Sequence, residues 1–146
     1  MLHVVEFLAT FAAALFAGAA LYINIAEHPA RMMLDTKSAA LEWAPSYQRA
    51  TWMQAPLALI SLVTGVASWW LGGGVVWAIA GLLIGGVVPW TFLGIMPTNR
   101  LLLAPQRDLA SPETRELLDK WAKLHAVRTM LSLLATALYI WQAAGI

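Results

Sequence analysis

Four apolar blocks decide what this chain can fold into. They run from about Val4 to Ile25, Ala50 to Leu71, Val75 to Met96 and Leu124 to Gly145, with no more than a single charged side chain each. About 20 residues of helix cross the ~30 Å of hydrocarbon in a bilayer. Inside hydrocarbon every backbone N–H and C=O needs a partner within the segment, and for blocks of this length an α-helix is the solution. Of the 146 residues, 60% are hydrophobic and 12% charged, about half the charge of a soluble domain. The expected fold is all-α, an integral membrane protein whose first partner is the lipid bilayer.

The connections set the topology. The second and third blocks are separated by Gly72-Gly73-Gly74 alone, which reads as a tight hairpin at a membrane surface. The other two connections are longer and polar. Four antiparallel spans joined in this way make an up-down-up-down four-helix bundle, one transmembrane domain over residues 1–146. Every Lys and Arg lies in the first and third connections or the turns beside them: Arg31, Lys37, Arg49, Arg100, Arg107, Arg115, Lys120, Lys123 and Arg128. Loops rich in Lys and Arg stay cytoplasmic. Residues 26–49 and 97–123 are therefore expected inside, and both termini and the Gly hairpin outside, in an inner or plasma membrane. Trp69, Trp70, Trp77 and Trp141 at the outer ends, with Trp43, Trp52 and Trp121 at the inner ends, read as aromatic belts.

Several chemistries are excluded at once. With no cysteine there is no disulfide, thiolate nucleophile or Cys-ligated metal. A net charge of +1 without a basic tail offers nothing to nucleic acid. The first block lacks a basic leader and is too long for a cleaved signal peptide. Among local signals, Ser111-Pro112-Glu113 is a helix start. Residues 35–43 suit a short interfacial helix, and Gly81 with Gly85 suits close helix packing. Glu116/Lys120 and Asp119/Lys123 are spaced for i,i+4 pairs on a solvated face.

The informative residues crowd the cytoplasmic ends. The first block finishes in INIAEHPARMM, bringing Asn24, Glu27, His28 and Arg31 together around Pro29. The second brings Tyr47, Arg49 and Gln54, the third ends in Thr98, Asn99 and Arg100, and the fourth carries Trp121, His125 and Arg128 as one stripe. Four helices of a compact bundle must place these groups near one another. Asn24 and His28 share a helix face. Pro29 disfavours helical geometry at His28, so the first helix is expected to end there. Arg128 lies about one turn inside its block, where insertion costs up to ~2.5–3.5 kcal/mol; it should face the bundle and pair, with Glu27 as the first choice. Taken singly, each residue also has a bland reading as an interfacial anchor or a satisfied structural group. The convergence of two histidines and several cations is harder to explain that way.

The segments GAALYINIAEHPARM, Trp43 with YQRATWMQAPLA, PWTFLGIMPTNRLLL and WAKLHAVRTMLSLLA occur in that order over nearly the whole chain. With them the sequence resembles the anthrone oxygenase-like family of small four-span membrane proteins. The resemblance implies the same fold and a site at this end. It also implies an activity like that of fungal members, which oxidise polyketide anthrones to anthraquinones with molecular oxygen; most bacterial members have no assigned activity. The family's polar pattern falls on Asn24, Glu27, His28, Arg31, Arg49, Gln54, Asn99, Arg100, His125 and Arg128.

An oxygenase acting on an apolar, oxidisable ring needs a near-neutral base and donors for a developing oxyanion. The catalytic candidates are His28, His125, Glu27 and Arg128. The substrate-contacting candidates are Asn24, Arg49, Gln54, Asn99, Arg100 and Trp121. No flavin or nicotinamide fingerprint is present. Cofactor-free chemistry is the first reading, a metal ion on His28, His125 and Glu27 the second, and haem a third. Adjacent Glu27 and His28 point about 100° apart on an ideal helix, which counts against the metal. The small-molecule partner would be apolar, and a homo-oligomer is compatible with the pattern. The competing readings are a binding protein for a lipid head group, quinone or anionic metabolite, and a purely structural polar plug.

Overall fold

The computed structural model describes residues 1–145. Four helices, α1 (Leu2–Arg31), α2 (Thr36–Gly73), α3 (Val75–Leu102) and α4 (Pro112–Ala144), make up nearly all of it, and each is long and apolar enough to cross a membrane. No strand occurs among the described residues. α1 and α3 each pack on both α2 and α4, while the diagonal pairs touch little. This is an up-down-up-down bundle, and with its apolar exterior the chain is an integral membrane protein. Phe7, Phe11, Leu15, Val63, Leu82, Phe92, Met130 and Leu134 all face outward, where lipid rather than water accounts for them.

Local chemistry sets the helix limits. Asp35 caps α2, its carboxylate accepting from the Ser38 N–H at 3.0 Å. Ser111 caps α4 through the Thr114 N–H at 3.2 Å, with Pro112 in the first turn. The α2–α3 hairpin turns on Gly72 and Gly74, at φ of 93° and 100°, a region that side chains with a Cβ rarely enter.

Three expectations change. First, Pro29 does not end α1, which continues to Arg31. Over Ile23–Glu27 the helix widens into a π-turn, with the His28 N–H bonded to the Ile23 carbonyl five residues back. A proline collides with the carbonyl four residues before it, here that of Ile25, and a π-bulge is one way a helix relieves such a local conflict. The same device occurs over Thr91–Ile95, ahead of Pro97. Second, residues 36–43 are not a separate interfacial helix but the first turns of α2. Third, Trp43, Trp77 and Trp121 are buried rather than in interfacial belts, whereas Trp52, Trp69, Trp70 and Trp141 are exposed.

The interior has two apolar layers. The one nearer the Gly hairpin holds Phe16, Trp77, Ile84 and Tyr139 among small residues such as Ala9, Ala13, Ala58 and Ala135. Small side chains let helices approach closely. Tyr139 Oη donates to the Ser61 carbonyl at 3.1 Å, and Gly65 leaves no room for a Cβ beneath it. Gly81 and Gly85 lie against Leu62 in the expected close α2–α3 contact. The second layer, toward the polar connections, holds Ile23, Trp43, Ile95, Leu118 and Trp121. The polar residues sit between and around these layers.

Candidate functional site

Asn24, on the π-turn of α1, ties α1 to α4. Its Nδ2 donates to the Ala122 carbonyl at 3.1 Å, so its Oδ1 is the acceptor facing His125 and Thr129. Thr129 Oγ1 donates to that oxygen at 2.6 Å, and His125 Nδ1 lies 2.8 Å from it. An amide oxygen can only accept. His125 Nδ1 must therefore carry the proton, and the neutral ring has its lone pair on Nε2. The ring is only 2% exposed and stacks on Trp121 with centroids 4.9 Å apart. His28 packs on the same indole at 5.5 Å. Its Nδ1 faces Arg31 Nη1 at 3.3 Å; a guanidinium only donates, so the opposite protonation applies and Nε2–H is the donor.

Arg128 is the second centre. It does not pair with Glu27 as expected. Its Nη2 donates to Gln54 Oε1 at 2.8 Å, and the guanidinium lies over the Phe16 ring, 5.4 Å from the centroid. No carboxylate pairs with it among the described residues. Glu27 is held elsewhere. It accepts from Arg31 and Ser46, while Arg31 also reaches Glu42. Two carboxylates nearer the connection thus saturate Arg31, and Arg128 is left buried with its charge uncompensated. Glu27 lies one helical turn from Arg31 and pairs with it within α1.

Two cavities meet at Arg128. One, of about 110 Å³, is apolar; Phe16, Ala58, Val87, Val88 and Phe92 line it, and Arg128 is its charged residue. Ala55 and Phe92 at its rim are exposed, so it opens toward lipid between α2 and α3. The other, of about 10 Å³, is polar and lined by Ser46, Tyr47, Thr51, Gln54, Trp121, His125 and Arg128, with Ile23 and Ala50 closing it. Tyr47, Thr51 and Arg128 line both.

The remaining candidates divide. Asn99 is fully buried, and neither atom of its amide has a hydrogen-bond partner. Arg49 and Arg100 are exposed and do not join the cluster. The Glu116/Lys120 and Asp119/Lys123 spacings form no ion pair, whereas Arg107 and Glu113 approach to 3.3 Å. Among the described residues no three His, Asp or Glu side chains converge as metal ligands. Glu27 is turned to Arg31 and His125 to Asn24, so His28, His125 and Glu27 do not fit a shared metal. Four contributors escaped the sequence reading: Glu42, Ser46, Thr51 and Thr129. Ser46 and Thr129 could have been found, since each is a hydroxyl at helical spacing from a candidate on a neighbouring turn.

The family model described as "Anthrone oxygenase" matches residues 43–138 of this chain. No curated protein and no solved structure gives a significant match.

Proposed function

The chain belongs to the anthrone oxygenase family, and from that premise we propose that it oxidises an apolar, ring-bearing carbon acid with molecular oxygen at the His125–Arg128 site. The observation that carries this reading is Arg128: a buried cation without a carboxylate, lining both an apolar cavity open to lipid and a polar cavity that contains His125. Such a group suits an oxygen that becomes negative only during reaction.

The reaction takes a methylene flanked by aromatic rings and conjugated to a carbonyl. His125 Nε2 removes one C–H proton, and Arg128 holds the resulting enolate oxygen. The enolate passes one electron to dioxygen, and the radical pair recombines to form a C–O bond. The peroxide takes the proton back from His125. Loss of the second C–H proton, with cleavage of the O–O bond, leaves C=O and water. The sum is CH2 + O2 → C=O + H2O, and it needs no cofactor. Asn24 and Trp121 orient His125, and Gln54 orients Arg128. Glu27 and His28 act with Arg31 to hold the cytoplasmic end closed.

Size supports entry from the membrane. The apolar cavity is smaller than the roughly 150 Å³ that accepts a benzene. It therefore takes one edge of a planar molecule, whose remainder stays in lipid between α2 and α3. The head-group reading draws no support from this geometry, because Arg49 and Arg100 are exposed and Arg31 is already paired. The topology proposed with it places both termini outside and the polar connections in the cytoplasm of an inner or plasma membrane.

The test is oxygen uptake and quinone absorbance with an anthrone, using the protein in lipid nanodiscs. Wild type should consume about one O2 per quinone, and His125→Ala should lose most of the ~10²–10⁴-fold that a positioned base supplies. An inert wild type, or a fully active His125→Ala, overturns the reading.

A further inference from the structure

On the outside of the bundle, apart from the buried His125–Arg128 site, two clefts of about 320 and 500 Å³ follow the seam between α1 and α2. Both are of small-molecule size, and they meet at Tyr22 and Glu27, which line both. Contacts across the seam fix its register: Ser46 donates to Glu27, and Arg31 reaches Glu42. From the bilayer centre toward the connections, the groove therefore passes Ala19 and Met53, then Tyr22 and Arg49, then Glu27, and last Glu42. Tyr22 and Trp52 are exposed near the level of Arg49. Aromatic side chains with a polar tip favour the boundary between hydrocarbon and head groups, so the groove begins among acyl chains and ends among head groups. Its charges are ordered along this path. Arg49 is exposed and makes no ion pair among the described residues. Nearer the connection, Glu27 and Glu42 share the single guanidinium of Arg31, an excess of one negative charge. Arg31 takes Glu27 Oε1 and Glu42 Oε2. Glu27 Oε2 and Glu42 Oε1 accept no hydrogen bond among the described residues, and these side chains are 25% and 46% exposed. Arg49 stands three residues beyond Ser46, about 4.5 Å of helix rise. A free cation and a surplus anion thus lie a short way apart along the bilayer normal, with the cation the deeper.

Independently of the oxidation chemistry, we infer that this groove binds a zwitterionic phospholipid with a primary amine in its head group, of the phosphatidylethanolamine class. In such a lipid the phosphate lies next to the acyl chains and the ammonium beyond it, the same order as Arg49 and the carboxylates. Arg49 meets the phosphate with its planar fork. A primary ammonium has three N–H donors for the two free carboxylate oxygens, whereas a quaternary ammonium has none. An anionic head group finds Arg49 but is repelled by the surplus carboxylate. One acyl chain lies over Ala19 and Met53, at the apolar end of the groove.

The experiment titrates the whole protein in mild detergent with phosphatidylethanolamine, phosphatidylcholine or phosphatidylglycerol of identical acyl chains, and counts bound lipid by native mass spectrometry. Wild type should hold phosphatidylethanolamine about tenfold more tightly than either of the others, the worth of one charge-assisted hydrogen bond. Glu42→Gln lets Arg31 balance Glu27 and removes the surplus charge, so the preference should shrink to less than about threefold. Arg49→Gln should weaken all three lipids together, because each carries the phosphate. Arg100→Gln, which removes an exposed cation from α3, should change nothing. Glu42, Arg49 and Arg100 are all exposed, so these substitutions leave the packing of the bundle intact. Equal binding of the three lipids, tighter binding of phosphatidylglycerol, or a preference that survives Glu42→Gln overturns the inference. So does a loss in Arg100→Gln as large as that in Arg49→Gln.

Discussion

Replacing Asn24 by Ala tests the hinge of the site more sharply than removing a histidine. Asn24 makes three contacts across to α4: to the Ala122 carbonyl, to His125 Nδ1 and to Thr129 Oγ1. They are not equal losses. Thr129 Oγ1 keeps the Ala20 carbonyl at 3.2 Å as an alternative, and Ala122 keeps its helical partner. His125 Nδ1 has no other acceptor, and its ring is 2% exposed. Interhelical hydrogen bonds in membranes average about 0.6 kcal/mol, whereas an orphaned buried donor costs about 1–3 kcal/mol. Losing two of the first kind and gaining one of the second predicts a destabilisation of about 2–4 kcal/mol, read by unfolding in SDS. The chemical consequence is separate. Without Asn24 nothing pins the proton to Nδ1, and the ring can place it on Nε2, where the base is needed. Nitrogen NMR of labelled histidine should show His125 as the Nδ1–H form in wild type and a mixture in Asn24→Ala, with anthrone turnover falling accordingly. If Asn24→Ala keeps the Nδ1–H form, or costs less than about 0.5 kcal/mol, the hydrogen-bond assignment behind this reasoning is wrong.

Other perturbations should sort the neighbours. Gly65→Ala drives a Cβ into Tyr139 Oη and to within 2.9 Å of the Trp77 carbonyl; overpacking of this kind costs about 1–3 kcal/mol, and a wild-type unfolding midpoint would refute it. Arg31→Met leaves Glu27 and Glu42 without their cation, but these side chains are 25% and 46% exposed, so the cost should fall below the ~3–5 kcal/mol of a fully buried pair. Glu42→Gln should cost under about 1 kcal/mol. Hydrogen bonds from Ser38, side chain first and then backbone, hold the Asp35 carboxyl below its ordinary 3.8. A depressed carboxyl stabilises the fold above its unfolded pKa and loses that contribution as pH falls through the folded value. Protection of the amides in the first turn of α2, taken relative to the intrinsic exchange rate at each pH, should therefore fall below pH 3.8 in wild type and show no such step in Asp35→Asn. Because the chain has no cysteine, single substitutions at the exposed Val75 beside the hairpin (Val75→Cys) and at Lys37 (Lys37→Cys) report topology directly; an impermeant thiol reagent applied outside should modify only the first.

The sequence alone determined the class of fold and the end of the bundle where chemistry could lie. Hydrocarbon tolerates so few backbone solutions that four blocks of about 20 apolar residues leave little to decide. Placing a charged residue inside such a block is costly enough to mark Arg128 as turned inward, and its 7% exposure agrees. Tertiary structure decided the partners. Helical periodicity assumes 3.6 residues per turn, and the π-turn at Ile23–Glu27 breaks that count at the point where Asn24 and His28 sit. Which face Asn24 presents to α4 thus depended on a local bulge that no spacing rule contains. The same holds for Arg128. Opposite charge favoured Glu27, but Arg31, one helical turn away, together with Ser46 on α2, claimed the carboxylate, and only the packing of four helices showed which cation remained without one. Trp43, Trp77 and Trp121 make the point for apolar residues, since a tryptophan near a helix end can face the interface or the core and its sequence position is the same in both cases.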